Sequence, residues 1–299
     1  MFGTMDKNHR AYKKKKRKNM DNKIRMIAAD LDGTLLRDDK KIDPYTLEII
    51  SKAIEKGVIF VVATGRPYNG VPEELLAVKG IRYAMTSNGA RVVDIKTGES
   101  VIKKLLPKEK GLMALEIGAQ YDTLQEIYYS GQGYADRDKL NNVKKYHKNP
   151  NMWEYFLRTR KQVDSVMDMA HETDLDMDKM QMLFPYDDER AEAWKQIEKI
   201  EGINAVDSIG YNIEVTSIEA HKGAALLELA KMLGVKREEI MAFGDGDNDA
   251  SMIESAGFGV AMGNAGERAR AVADYVTDSN NDNGVANAIN KFVIMRGER

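Results

Sequence analysis

The sequence predicts an α/β fold: a doubly wound, largely parallel sheet into which an α+β domain is inserted. Three observations lead there. A strand–helix–strand unit with short connections occupies residues 24–63, and the same grammar returns after residue 222. Between about 89 and 216 the texture changes to short strands alternating with helices. Strand, helix and strand joined by short links build parallel pairs, so the two flanking regions belong to one sheet.

Taken in order, Ile24 to Ala29 is a short apolar run, read as a buried strand that ends at Asp30-Leu31-Asp32-Gly33-Thr34. A helix follows, with Asp43 as N-cap, Pro44 at its first position, Leu47, Ile50, Ala53 and Ile54 as its apolar stripe, and Gly57 past its end. Val58 to Ala63 is continuously apolar, as expected of a strand covered on both faces, and it ends at Thr64-Gly65-Arg66-Pro67. Residues 91–95 and 100–103 flank Lys96-Thr97-Gly98-Glu99 and read as an antiparallel hairpin. Strands are expected at 126–129 and 180–184, among helices around 107–120, 161–172 and 188–200. Lys222-Gly223 opens a helix that runs to Gly234, and Ile240 to Phe243 is a strand ending at Gly244-Asp245-Gly246-Asp247-Asn248-Asp249. A short helix with Met252 and Ile253, a strand at 257–261, a helix over 265–273, a strand at 275–277 and a helix after Gly284 complete the chain. The expected domains are therefore a leader over 1–20, a core from 21–88 and 217–299, and an inserted domain over 89–216.

Composition narrows the function classes. The 299 residues hold no cysteine, which excludes disulfides and thiolate chemistry. No apolar run reaches the roughly 18 residues that a membrane span needs. The formal charge of -2 hides an asymmetry, because residues 1–20 carry eight Lys or Arg against Asp6 alone. The remaining 37 basic and 46 acidic residues give a body of about -9, which argues against nucleic acid as a partner. The leader reads as a solvated, charged tail with no secretory h-region behind it. No membrane partner is expected, the cytoplasm is the expected compartment, and the sequence does not disclose the oligomeric state.

Chemistry concentrates at strand ends. In an open parallel sheet ligands gather outside the carboxyl ends of the strands. Asp30 and Asp32 lie there two residues apart, with Gly33 to turn the chain. Alone, Asp-x-Asp-Gly is equally the chemistry of a simple acidic turn. Asp245-Gly246-Asp247-Asn248-Asp249 places further carboxylates after another strand, and several hard oxygen donors at one crevice suit Mg²⁺. A calcium loop of the EF-hand type fails, because its sixth position would be Leu35 or Ala250 and its twelfth Lys41 or Ala256. Thr64-Gly65 offers a hydroxyl and backbone N–H groups to a phosphate, and Lys222 brings a cation to a helix start. Each of those two is ordinary loop or surface chemistry when taken alone. The four histidines, His9, His147, His171 and His221, show no metal-ligand spacing and read as structural.

These four pieces, in this order, resemble the four motifs of haloacid dehalogenase superfamily phosphatases. The closest likeness is to the Cof-type subfamily, in which a C2-type cap lies between the second and third motifs. The strings that carry it are Ala29-Asp30-Leu31-Asp32-Gly33-Thr34-Leu35-Leu36, Ala63-Thr64-Gly65-Arg66, Ser87-Asn88-Gly89-Ala90, His221-Lys222-Gly223, Gly244 to Asp249 and Ala261-Met262-Gly263-Asn264-Ala265. Ala220-His221 before Lys222 departs mildly from the pattern. The resemblance spans about residues 23–293.

The resemblance implies a Mg²⁺-dependent phosphatase that hydrolyses monoesters of small phosphorylated metabolites, sugar phosphates among them, through an aspartyl-phosphate. Asp30 would be the nucleophile and a metal ligand. Asp32 would be the general acid and then the base, with its backbone carbonyl on the metal. Asp245 would complete the protein's ligands, and Asp249 would hold metal-bound waters. Thr64, Lys222 and Asn248 would bind phosphoryl oxygens, with the N–H groups of Leu31 and Gly65. A hexose phosphomutase using the same aspartate and a phosphate-sensing binding protein are the alternative readings.

Overall fold

The computed structural model describes residues 23–295, so the basic leader lies outside the described residues. The chain divides into two compact units. The first takes the residues up to Ala63, Ala77–Tyr83 and those from Leu226 onward, and the second takes Thr64–Leu76 and Ala84–Ala225.

In the first unit, strands β1 (Met26–Ala29), β2 (Ile59–Ala63), β12 (Ile240–Gly244), β13 (Phe258–Ala261) and β14 (Tyr275–Val276) run parallel in the order β14-β13-β12-β1-β2. All four residues of β1 are buried, as expected for a parallel strand covered on both faces. Its registers, Met26 beside Ile240 and Ile59, carry Ala29 to a position level with Phe243 and Val62. The connections leave β1 in opposite directions, to β2 on one side while β12, β13 and β14 lie on the other. Such a reversal of winding places a crevice at the carboxyl end of the central strand.

The helix Pro44–Glu55 starts as expected, with the Asp43 carboxylate accepting from Tyr45 N at 2.9 Å. Its buried face is Thr46, Ile49, Ile50 and Ala53, while Leu47 and Ile54 are only half covered. The stripe is thus rotated slightly from the expected one. Thr46 takes an inward place because its hydroxyl bonds Asn283 Oδ1. No helix among the described residues is long and apolar enough to cross a membrane.

The second unit contains β3 from Ala84 onward (the whole strand is Tyr83–Thr86), the antiparallel pair β4 (Arg91–Asp94) and β5 (Ser100–Lys103), and a six-stranded sheet. That sheet comprises β6 (Leu124–Tyr129), β7 (Gln132–Asp136), β8 (Arg160–Val163), β9 (Lys179–Leu183), β10 (Ile203–Val206) and β11 (Asn212–Ser217) in the order β10-β11-β9-β6-β7-β8. One face of it is apolar. Ile127, Tyr129, Met180, Met182, Ile213 and Val215 pack with Leu115, Val166, Ala170, Ala193 and Ile197 from helices Lys108–Gly118, Val166–Glu172 and Asp187–Ile197. Each fully buried Leu, Ile, Val or Met among them contributes about 1.5–3 kcal/mol. The opposite face presents Glu126, Tyr128, Lys179, Gln181 and Glu214, all buried.

One expected element is corrected. Residues 160–163 form β8, and the helix expected from 161 begins only at Val166. Ser165 caps that helix through its hydroxyl, which accepts from Asp168 N at 3.1 Å.

Candidate active site

Asp30 directly follows β1, and its backbone still donates to Phe243 O at 3.1 Å. After it the chain coils tightly: Thr34 N and Leu36 N both donate to Leu31 O, at 3.2 and 2.8 Å, and Leu35 N donates to Asp30 O at 3.2 Å. Gly33 makes the coil possible with φ +78, a conformation that glycine adopts without strain. A Cβ on Gly33 would lie 2.2 Å from Asp245 Oδ2, so the turn also admits that carboxylate. Thr34 Oγ1 donates to Asp245 Oδ1 at 3.0 Å. Asn264 Nδ2 donates to Gly33 O at 2.8 Å and fixes the turn from the far side.

Asp245 follows β12 as Asp30 follows β1, one strand over. Asp249 is fully buried, and its Oδ2 accepts from the backbone N–H groups of Asp245 and Gly246, each at 3.0 Å. Its side chain packs against Gly244, where a Cβ would come within 2.3 Å of Asp249 Cβ. Asp30, Asp245 and Asp249 consequently each offer a carboxylate oxygen, and these oxygens lie within 4.8 Å of one another. Three carboxylates held this close repel unless a cation or protons intervene. Hard oxygen donors gathered from two adjacent strand ends fit Mg²⁺, which binds one or two protein carboxylates directly and completes its shell with water and phosphate. Asp32 lies apart from this group, half exposed, with its Oδ1 2.9 Å from Lys40 Nζ.

The remaining candidates fall within the second unit, except Leu31, buried just after β1, and Asn248 beside Asp249. Thr64 is buried, and its hydroxyl accepts from Arg66 N at 3.0 Å, which leaves its O–H as a donor of the kind a phosphate oxygen accepts. Gly65 lies against Asn88, whose Oδ1 would be 2.9 Å from a Cβ there. Ser87 and Asn88, with φ of 50 and 57, form a strained left-handed corner, and they reach back through Ser87 N to Arg66 O and Asn88 N to Thr64 O. Lys222 is the first residue of the helix Lys222–Met232 and is fully buried. His221 caps that helix by accepting from Ala224 N through Nδ1 at 3.1 Å.

The contacts of Thr34 and Lys40 and the capping by His221 were not expected from the sequence. Thr34 had a signal, since a hydroxyl two residues past a general-acid candidate shares its loop. Lys40 had none.

The profile of the haloacid dehalogenase-like hydrolase family matches residues 27–289. A 5-amino-6-(5-phospho-D-ribitylamino)uracil phosphatase of Bacillus subtilis is 31% identical over 271 residues, which cover 91% of this chain and 96% of the relative. Another Bacillus subtilis phosphatase is 32% identical over 288 residues, covering 88% and 98% of the two chains. Among solved structures, a haloacid dehalogenase-like hydrolase from B. subtilis superposes with a TM-score of 0.78 at 29% identity, covering 89% of this chain and 99% of its own. A subclass IIB sugar phosphatase of the same superfamily does so with a TM-score of 0.77 at 26% identity, covering 90% and 98%.

Proposed function

This chain belongs to the haloacid dehalogenase-like hydrolase family and is a phosphatase, and from that premise we propose that it hydrolyses monoesters of small phosphorylated metabolites through an aspartyl-phosphate on Asp30. The observation that carries the reading is the grouping of Asp30, Asp245 and Asp249 at the ends of two adjacent parallel strands. Asp30 attacks phosphorus, the bond to the leaving oxygen breaks, and Asp32 gives that oxygen its proton. Asp32 then takes a proton from water as the water oxygen attacks phosphorus, inorganic phosphate departs, and Asp30 is restored. Dividing hydrolysis into two transfers is covalent catalysis, and most of the work is positioning and charge stabilisation.

Asp30, Asp245 and the backbone carbonyl of Asp32 would hold Mg²⁺, with Asp249 fixing its waters. The ion supplies positive charge against which a carboxylate can approach a phosphate dianion. Thr64, Lys222, Asn248 and the N–H groups of Leu31 and Gly65 bind the phosphoryl oxygens. Residues 89–216 act as the cap that reads the leaving group. Sugar phosphates are the favoured substrate class, supported by the sugar phosphatase and the phosphoribitylaminouracil phosphatase among the similar proteins. The cytoplasm, where such metabolites are made and consumed, is the proposed compartment.

The test is phosphate release from a panel of phosphorylated metabolites with Mg²⁺, repeated after chelation. The reading expects release that chelation abolishes and added Mg²⁺ restores. A panel without any release under Mg²⁺ would contradict it.

A further inference from the structure

Lys40 occupies a backbone conformation that lysine does not favour. Its φ is +64, in the left-handed region where a Cβ is penalised and glycine is not. The turn is nonetheless held closed, with Lys40 N donating to Arg37 O at 2.9 Å and Arg37 N to Lys41 O at 3.0 Å. Three asparagines tie it down. Asn280 Nδ2 donates to Leu36 O at 2.9 Å and to Asp38 Oδ1 at 3.1 Å, and Asn281 Nδ2 donates to Asp38 Oδ2 at 2.9 Å. Asn264 joins this loop to the catalytic turn, accepting from Asn280 N at 3.0 Å while donating to Gly33 O at 2.8 Å.

The product of this bracing is one contact: Lys40 Nζ lies 2.9 Å from Asp32 Oδ1. The two side chains are 28% and 37% exposed, and an ion pair so open to water adds little to stability. The ion pair by itself therefore does not offset the strain at Lys40. We infer that Lys40 is a positioning residue for Asp32. It holds one carboxylate oxygen, Oδ1, and so narrows the rotamers through which Oδ2 can serve the proton transfer. Orientation of a proton-transferring group contributes to rate without adding a contact to substrate. The inference rests on the reading of Asp32 as the acid and base of the proposed reaction.

That role predicts a leaving-group signature. The 4-nitrophenolate of an aryl phosphate leaves with little need of a proton, whereas the far more basic alkoxide of an alkyl phosphate requires one. The experiment uses the full chain with Mg²⁺ and compares kcat/KM for 4-nitrophenyl phosphate with that for the alkyl phosphate the wild type turns over fastest. Lys40→Met should lower the alkyl-to-aryl ratio on the order of tenfold, a fraction of what general acid catalysis supplies. Lys40→Arg should recover part of the loss. Lys40→Gly relaxes the backbone, so it should hold or raise Tm while matching Lys40→Met in the ratio. A ratio unchanged in Lys40→Met, an equal fall for both substrates, or a wild-type ratio in Lys40→Gly overturns the inference. Those outcomes, seen in an active enzyme that Asp30→Asn silences, leave the phosphatase mechanism standing. Activity that survives Asp30→Asn removes the mechanism itself.

Discussion

Gly33 and Gly57 both have positive φ, +78 and +83, yet only Gly33 faces another side chain. Alanine at either position meets the left-handed penalty of about 1–2 kcal/mol. At Gly57 nothing lies within 4 Å, so Gly57→Ala should lower Tm and leave kcat and KM unchanged. At Gly33 the new methyl would displace Asp245, so Gly33→Ala should also cost roughly 10²-fold in kcat/KM and raise the Mg²⁺ concentration for half-maximal rate. Steady-state kinetics across a Mg²⁺ titration separates the two variants, and equal behaviour would contradict the tight packing at Asp245. At this scale the acids were legible in the sequence because a carboxylate after an apolar run already marks a strand's carboxyl end. Lys40 was not, since it stands in the charged run Arg37-Asp38-Asp39-Lys40-Lys41, and its meaning depends on a backbone angle that no side-chain pattern encodes. His221 was missed as a cap because imidazole is not among the usual capping side chains.

The element whose chemistry is most exposed to test is the polar face of β6, β9 and β11. Register places Glu214 beside Gln181 and Gln181 beside Glu126, with Lys179 beside Tyr128. Lys179 Nζ donates to Glu214 Oε2 at 3.0 Å and to Gln181 Oε1 at 3.1 Å, and Asn88 Nδ2 reaches the same Glu214 oxygen at 2.8 Å. Burial pushes the Glu214 carboxyl up, but the Lys179 ammonium and hydrogen bonds from Ser208, Lys179 and Asn88 outweigh it and hold the pKa below the ordinary value. The folded state therefore binds this proton less readily than the unfolded chain. Its contribution to stability is present above the unfolded glutamate pKa and is lost as pH falls through the folded one. Lys179→Met leaves the carboxylate buried without its cation, a change that should destabilise by about 3–5 kcal/mol near neutral pH. In that variant the gain in stability on raising pH through the acid range should shrink or reverse, which denaturant melts at several pH values would reveal. The strands at 126–129 and 180–184 were legible as short apolar-rich runs, but their pairing was not. Strand β8 was not legible: Arg160-Lys161-Gln162-Val163 lacks a strand's residue types, and Arg160 is drawn into the sheet by Glu126, 2.9 Å away.

For the molecule as a whole, the parallel strands of the first unit were the most legible feature, because strands covered on both faces read as unbroken apolar runs. The inserted region was harder, since β7, β10 and β11 mix polar with apolar residues and none of them is an unbroken apolar run. If residues 89–216 read the leaving group while the strand-end acids do the chemistry, kinetic effects should divide accordingly. Polar-to-alanine changes across that region should shift KM and the ranking of a substrate panel, with the metal requirement and pH profile retained. A panel whose ranking moves only with core substitutions outside the motifs would contradict that division. The mechanism itself meets its most direct test at Asp30. The enzyme is mixed with substrate and Mg²⁺, quenched in acid within a turnover, treated with borohydride and digested for mass spectrometry. An aspartyl-phosphate is reduced by borohydride to homoserine, so the account predicts homoserine at residue 30 in the wild type and none in Asp30→Asn. An unmodified Asp30 in enzyme caught during turnover, or homoserine at Asp32 or Asp245 instead, would contradict it.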